Sequence, residues 1–281
     1  MASTDALSLT PLAASDVPGC MALSAEAGWN QLPDDWTLFF DRGTVFGLPG
    51  ADGRPAATGA ILPYGDEFAW LSMVLVTAAR RRHRIGTRIL EACCQELAQR
   101  GLVAVLDATP AGEQVYRPLG FEPLFGLTRW QGAGGGRSGI PAGVRPMRKV
   151  DLAAVIAIDA GVFGARRPFL LENFFRRAPH LAFVTEDGEG FALARPGRIA
   201  TQIGPIVAAN EATAAALLGA ALDTVTGPVF LDLGDRWEGL ARELERCGFT
   251  MQRPFLRMAL RHAAPFGEPA RTFVVAGPEF G

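Results

Sequence analysis

The stretch from Leu71 to Leu97 constrains this chain more than any other. It opens as an apolar run, Leu71 to Val76, with β-branched Val74 and Val76. It then crosses a cluster of arginines to Ile85-Gly86-Thr87 and continues with Ile85, Ile89, Cys93 and Leu97 at four-residue spacing. That order predicts a strand, a basic turn and an amphipathic helix. A helix that starts straight from a turn has backbone N–H groups with no partner inside the helix, and it carries the positive end of its macrodipole there. Arg80, Arg81, Arg82 and Arg84 add full charges to that end, which suits phosphate. A solvated basic helix start, or a short patch for nucleic acid or localisation, has the same composition.

The run Arg81, Arg82, His83, Arg84, Ile85, Gly86, followed by Thr87, resembles the acetyl-CoA loop of the GCN5-related N-acetyltransferases. That loop reads Arg or Gln, two residues, Gly, one residue, Gly or Ala, and it opens a helix after an apolar strand. Arg84 stands where the family carries its first Gly. The resemblance implies acetyl-CoA as cosubstrate. It assigns the phosphate contacts to Arg81, Arg82, His83, Arg84, Ile85, Gly86 and Thr87, and backbone contacts to the acyl carbonyl near Val74 or Val76. A second marker is Val115 to Phe121, VYRPLGF, with a Tyr four residues before Gly-Phe. In the resembled family Tyr116 sits where the leaving thiolate forms. A phenol with a reference pKa near 10 can donate to a thiolate of roughly 8.5.

With 281 residues the chain is long enough for two domains of roughly 100–200 residues, each with its own core. A formal net charge of −2, with 20% charged residues, gives no reason to expect a duplex nucleic-acid partner. No apolar run approaches the ~18–20 residues of a membrane span, and the first residues lack a basic region followed by an apolar core. Cys20, Cys93, Cys94 and Cys247 show neither a disulfide framework nor a metal-ligand spacing. A reduced, cytoplasmic, metal-free protein is expected. Lys149 is the only lysine, and the Ala and Gly content hints at a GC-rich bacterial genome.

In chain order, a short strand is expected over 7–12, then a helix from Val17 to Ala27 capped by Asp16. Trp29, Asn30 and Gln31 follow, then Asp34, Asp35 and Trp36 at the start of a second helix ending near Arg42. In the resembled family this connection covers the acceptor pocket, so Trp29, Asn30 and Gln31 are expected substrate contacts. Capping and packing account for Trp36 equally well. Strands over 44–48 and 56–62 form a hairpin, with Asp66 and Glu67 at the entrance of the central strand. After the central helix, Leu102 to Leu106 is a buried strand ending at Asp107. A helix follows to Leu119, then a strand from Pro123 to Trp130, and Gln131 to Gly139 is a glycine-rich linker.

The second half repeats this order. Val105-Leu106-Asp107 corresponds to Phe230-Leu231-Asp232, and Leu119-Gly120-Phe121 to Cys247-Gly248-Phe249. We read a divergent internal duplication. The second copy has Ala208-Ala209-Asn210-Glu211 at the turn and Leu244 in place of the tyrosine, so only the first half is expected to bind acetyl-CoA. The domains expected are 1–131, catalytic; 132–142, linker; 143–262, degenerate; and 263–281, a tail. The fold class is α/β (α+β), two tandem GNAT-like domains, each a mixed, mostly antiparallel sheet flanked by helices. The expected activity is transfer of an acetyl group to a primary amine of a small molecule, with Tyr116 and Asp107 as the catalytic pair. Asp66, Glu67 and the Asp34-Asp35 pair compete with Asp107 for the proton. Arg166 and Arg167 are candidates for holding a carboxylate or phosphate. A non-catalytic acyl-CoA sensor is the alternative. Neither nucleic acid nor membrane is an expected partner, and a homodimer stays open.

Overall fold

The computed structural model describes residues 9–51, 53–135 and 139–281, which fall into two units divided between Ala104 and Val105. In the first, β1 (Thr10–Pro11), α1 (Val17–Glu26), α2 (Pro33–Arg42), β2 (Thr44–Pro49), β3 (Pro55–Tyr64), β4 (Phe68–Val76) and α3 (Ile85–Gln99) follow the expected order. Asp16 does not cap α1 through its side chain. It lies in a 3-10 turn where its carboxylate accepts from the Ala13 N–H at 2.9 Å. Of the expected 7–12 strand, Thr10–Pro11 is strand, and residues 7 and 8 lie outside the described residues.

The strands pair antiparallel in chain order, with Phe46 opposite Gly59 and Ile61 opposite Leu71. Nearly every residue of β3 is buried, because α1, α2 and α3 all pack against it. Helix α3 buries Ile85, Ile89, Leu90, Cys93 and Leu97, and each large aliphatic side chain so buried stabilises by roughly 1.5–3 kcal/mol. A Cβ at Gly59 would overlap Ile89 Cγ2, so the glycine lets α3 seat closely on the sheet.

β5 (Val103–Ala108) carries the chain into the second unit. There follow α4 (Pro110–Tyr116), β6 (Phe121–Gly134), β7 (Val144–Pro146), α5 (Leu152–Phe163), α6 (Pro168–Arg177), β8 (Phe183–Thr185), β9 (Phe191–Arg195), β10 (Thr201–Val207), α7 (Glu211–Thr224), β11 (Gly227–Gly234), α8 (Glu238–Arg246), β12 (Thr250–Leu260) and β13 (Thr272–Val274). Asn210 caps α7, its side chain accepting from the Thr213 N–H at 3.0 Å. The sheet order is β5-β12-β6-β11-β13-β10-β9-β8-β7. β10 and β11 run parallel, and their neighbours antiparallel. Ala214, Leu217, Leu218 and Ala221 of α7 close one core over this sheet with Phe183, Ile206 and Leu231.

The order departs from two self-contained halves. β6, which ends the first half, pairs with β11 of the second, and β12, which ends the second half, pairs with both β6 and β5. Each half lends its last strand to the other. Two buried ion pairs sit at matching register positions of this exchange. Arg257 of β12 faces Asp107 of β5 and grips it bidentately at 2.8 and 2.9 Å. Arg129 of β6 faces Asp232 of β11 and grips it at 2.8 Å through both oxygens. Asp107 and Asp232 are the duplicated aspartates, so each is paired to an arginine from the opposite half.

The glycine run expected as a linker is in part a strand, since β6 continues through Gly134. A Cβ at Gly132 would overlap the Phe249 ring, and one at Gly134 would press on the Val225 carbonyl. These glycines admit close neighbours rather than confer flexibility. Residues 136–138 lie outside the described residues. The segment 263–281, expected as a tail, contributes β13, and its residues 273–277 and 279–281 are buried.

Candidate active site

The basic turn is built on β4. Thr58 pairs with Leu75 and Ala60 with Ser72, which leaves Met73 and Val74 opposite Gly59 alone. This is a bulge, with Met73 at φ 55 and its carbonyl accepting from Thr58 Oγ1 at 2.9 Å. Val74 and Val76 both come to the face where α3 begins, and a Cβ built on Gly86 would meet Val76 Cγ2 at 3.7 Å and Val74 Cγ1 at 4.0 Å. Arg81 Nε donates to the Val76 carbonyl at 3.1 Å, and His83 Nδ1 lies 2.9 Å from the Arg81 carbonyl. The residues assigned to the cofactor therefore gather at one place in the first unit.

The turn's other end is anchored by Glu26, which sequence spacing gave no means of finding. Its carboxylate accepts from Thr77 Oγ1 at 3.0 Å and from the Ala78 N–H at 2.6 Å. Arg82 and Arg84 adopt φ 65 and φ 58. That left-handed region explains why a glycine is usual in the resembled loop at Arg84, since an L side chain there costs roughly 1–2 kcal/mol. Among the described residues, the N–H groups from Arg82 to Thr87 donate to no protein acceptor, and Arg82 and Arg84 make no ion pair. Donors without a protein acceptor and fixed charges suit a pyrophosphate.

In the same unit Asn30 and Gln31 are buried and Trp29 is half-buried. Trp36 is fully buried and donates to Ser24 Oγ at 3.1 Å, and Asp35 accepts from the Leu32 N–H at 2.8 Å. Asp35 thus holds the start of α2, and Trp36 ties α2 to α1. Asp34, Asp66 and Glu67 are exposed. In the second unit Tyr116 ends α4 and tilts against Phe121, with ring centroids 5.8 Å apart. The Asp107 carboxylate is buried, and both of its oxygens accept from Arg257. Burial pushes its carboxyl up, opposed by that guanidinium. Arg167 is buried and bidentate to Asp159 at 2.8 and 2.9 Å, and Arg166 has no place in that cluster. Among the described residues no cluster of His, Cys, Asp and Glu is gathered to hold a metal.

Residues 20–121 match the model of the acetyltransferase (GNAT) family, and residues 155–271 match that of a further acetyltransferase (GNAT) domain. This chain is a tandem member of the GNAT family. A holothin acyltransferase from a Pseudoalteromonas species is 26% identical over 81% of this chain and 78% of its own length. Among solved structures, a putative acetyltransferase from Pyrococcus horikoshii superposes with a TM-score of 0.81 at 20% identity, covering 98% of this chain and 95% of its own. A tandem GNAT protein from the clavulanic acid biosynthesis pathway superposes at 0.61 with 16% identity, covering 90% and 97%. These two likenesses concern the fold.

The GNAT protein is thus an N-acetyltransferase, and its first matched region runs past the division between Ala104 and Val105. No helix among the described residues is long and apolar enough to cross a membrane.

Proposed function

We propose that this chain transfers an acetyl group from acetyl-CoA to a primary amine of a small-molecule acceptor, by direct attack of the amine on the thioester. The observation that carries it is the turn from Arg81 to Thr87 after a bulged strand, with N–H groups that donate to no protein acceptor among the described residues and with Arg82 and Arg84 outside any ion pair. Acetyl-CoA supplies the activated acyl carbon. The N–H groups of Arg82 to Thr87 bind its pyrophosphate, with Arg82 and Arg84 adding charge. The Val74 peptide, displaced from the ladder by the bulge, is the donor to the developing oxyanion. Tyr116 donates the proton taken by the departing sulfur. Trp29, Asn30 and Gln31 are the acceptor contacts. The relative named for acylating holothin supports acyl transfer.

The first proton, from the attacking ammonium, is assigned to solvent or an exposed acid such as Asp66 or Glu67. Asp107, bound through both oxygens to Arg257, is better placed to hold β5 against β12. That same engagement favours a second reading, an acyl-CoA sensor that binds without turnover. Release of free thiol from acetyl-CoA across a panel of primary amines separates the two. Amine-dependent release supports the transferase, and tight binding with no release for any amine supports the sensor. We further propose a chain with no nucleic-acid or membrane partner, working in the cytoplasm of a bacterium.

A further inference from the structure

β10 and β11 start as parallel neighbours, with Thr201, Gln202 and Ile203 beside Val229, Phe230 and Leu231. They then separate. From Ile206 onward β10 pairs with β13, and Leu233 of β11 faces Val274 of the same strand. Residues 272–274 therefore enter the sheet between two strands that began side by side, and the chain beyond them closes in a turn, where the Phe280 and Gly281 N–H groups donate to the Gly277 carbonyl.

The entry is fitted along its length. The Val275 N–H donates to the Asp232 carbonyl at 3.0 Å, and a Cβ on Gly204, at φ 140, would overlap the Val275 carbonyl. Arg195 of β9 is buried and donates to the Ala276 carbonyl and to the Glu279 carboxylate. Its guanidinium lies over the rings of Phe174 and Phe280 at 4.7 and 5.1 Å, and these rings meet edge-on at 5.8 Å. Arg167, held by Asp159, donates to the Gly281 and Phe280 carbonyls at 2.9 and 3.3 Å. Phe273, Val274, Ala276 and Phe280 have no exposed surface.

We propose that the opening between β10 and β11 is a peptide-binding cleft of the strand-insertion kind, filled in cis by residues 272–281. Its ligand is an apolar segment whose extended start is paired on both edges and whose following turn is anchored by an aromatic ring and by one carboxylate on a buried guanidinium. While the segment is seated, the opening takes no other extended ligand. The inference concerns the second unit only and stands apart from the acyl-transfer proposal, since its test reads stability and peptide binding rather than turnover.

The experiment compares the full chain with one ending at Arg271, and adds a synthetic peptide of residues 272–281 in trans. The shortened chain is expected to melt about 5 °C lower or more, to recover saturably as the peptide is added, and to stay low with a peptide carrying Glu279→Lys. An unchanged midpoint on shortening, or no recovery with the parent peptide, overturns the proposal. Where the shortened chain fails to fold, the full chain is given a protease site in the exposed run at residues 263–265 and cut after folding. The released piece is then expected to co-elute with the rest and to exchange with labelled peptide. Loss of the piece without a fall in melting temperature overturns it.

Discussion

Gly86 is the most economical place to test the phosphate turn. A side chain there meets Val74 and Val76 only at ordinary contact distance, so Gly86→Glu folds, and its carboxylate occupies the place offered to phosphate. Calorimetry with acetyl-CoA is expected to find no binding to a variant whose melting temperature matches the parent. Normal binding removes the pyrophosphate from this turn. Tyr116→Phe keeps the ring against Phe121 and removes the donor. Turnover is expected to fall by ~10² or more with little change in cofactor affinity. A hydroxyl with only a structural role would instead cost roughly 0.5–1.5 kcal/mol of stability and leave turnover intact. The cysteines belong to packing. Burial pushes the Cys20 thiol up to about 12 and the Cys94 thiol up to about 11, so neither is a nucleophile near neutral pH.

Among the elements, the exchange of β6 and β12 rests on the two facing Asp–Arg pairs. Both charges of the Asp107–Arg257 pair are desolvated, with side-chain exposures of 0% and 8%. Arg257→Met leaves a buried carboxylate without its partner and is expected to cost about 3–5 kcal/mol in denaturant unfolding, whereas Asp107→Leu with Arg257→Met recovers most of that loss. A single variant as stable as the parent denies the pair a part in setting the register. At the start of α5, hydrogen bonds from Arg145, and then from the Arg148 N–H, hold the Asp151 carboxyl well below the usual carboxylate range. A lowered folded pKa contributes stability that is present above the unfolded value of about 4 and lost as pH falls through the folded one. Asp151→Asn is therefore expected to melt below the parent at pH 7, with the gap closing as pH drops beneath about 4. A gap that stays constant with pH assigns the loss to packing.

For the whole molecule, the duplicated halves are not equivalent. The turn from Arg81 to Thr87 is basic and has donors without a protein acceptor, while the corresponding turn of the second half, at the Asn210 N-cap of α7, has no arginine and carries the acidic Glu211. One acetyl-CoA per chain is expected by calorimetry on the full protein, and two equivalents would return a working site to the second half. The strand exchange makes the isolated second half a poor subject for that experiment, since β11 and β12 would each lose the β6 edge.

What the sequence determined by itself was local. The apolar run and the four-residue spacing between Ile85 and Leu97 set β4 and α3, because amphipathic periodicity is a property of neighbouring residues. The basic turn was legible for the same reason, and the duplication from short runs that recur in the same order in each half. Tertiary structure alone decided where β6 and β12 pair, because an edge strand carries no label for its partner and both halves offer the same Asp and Arg. It turned the glycines of β6 from an apparent linker into points of close approach, which depend on Phe249 and Val225 far along the chain. It likewise brought Glu26 to Thr77 and β13 between β10 and β11, contacts whose energy is gained only when distant segments lose water together.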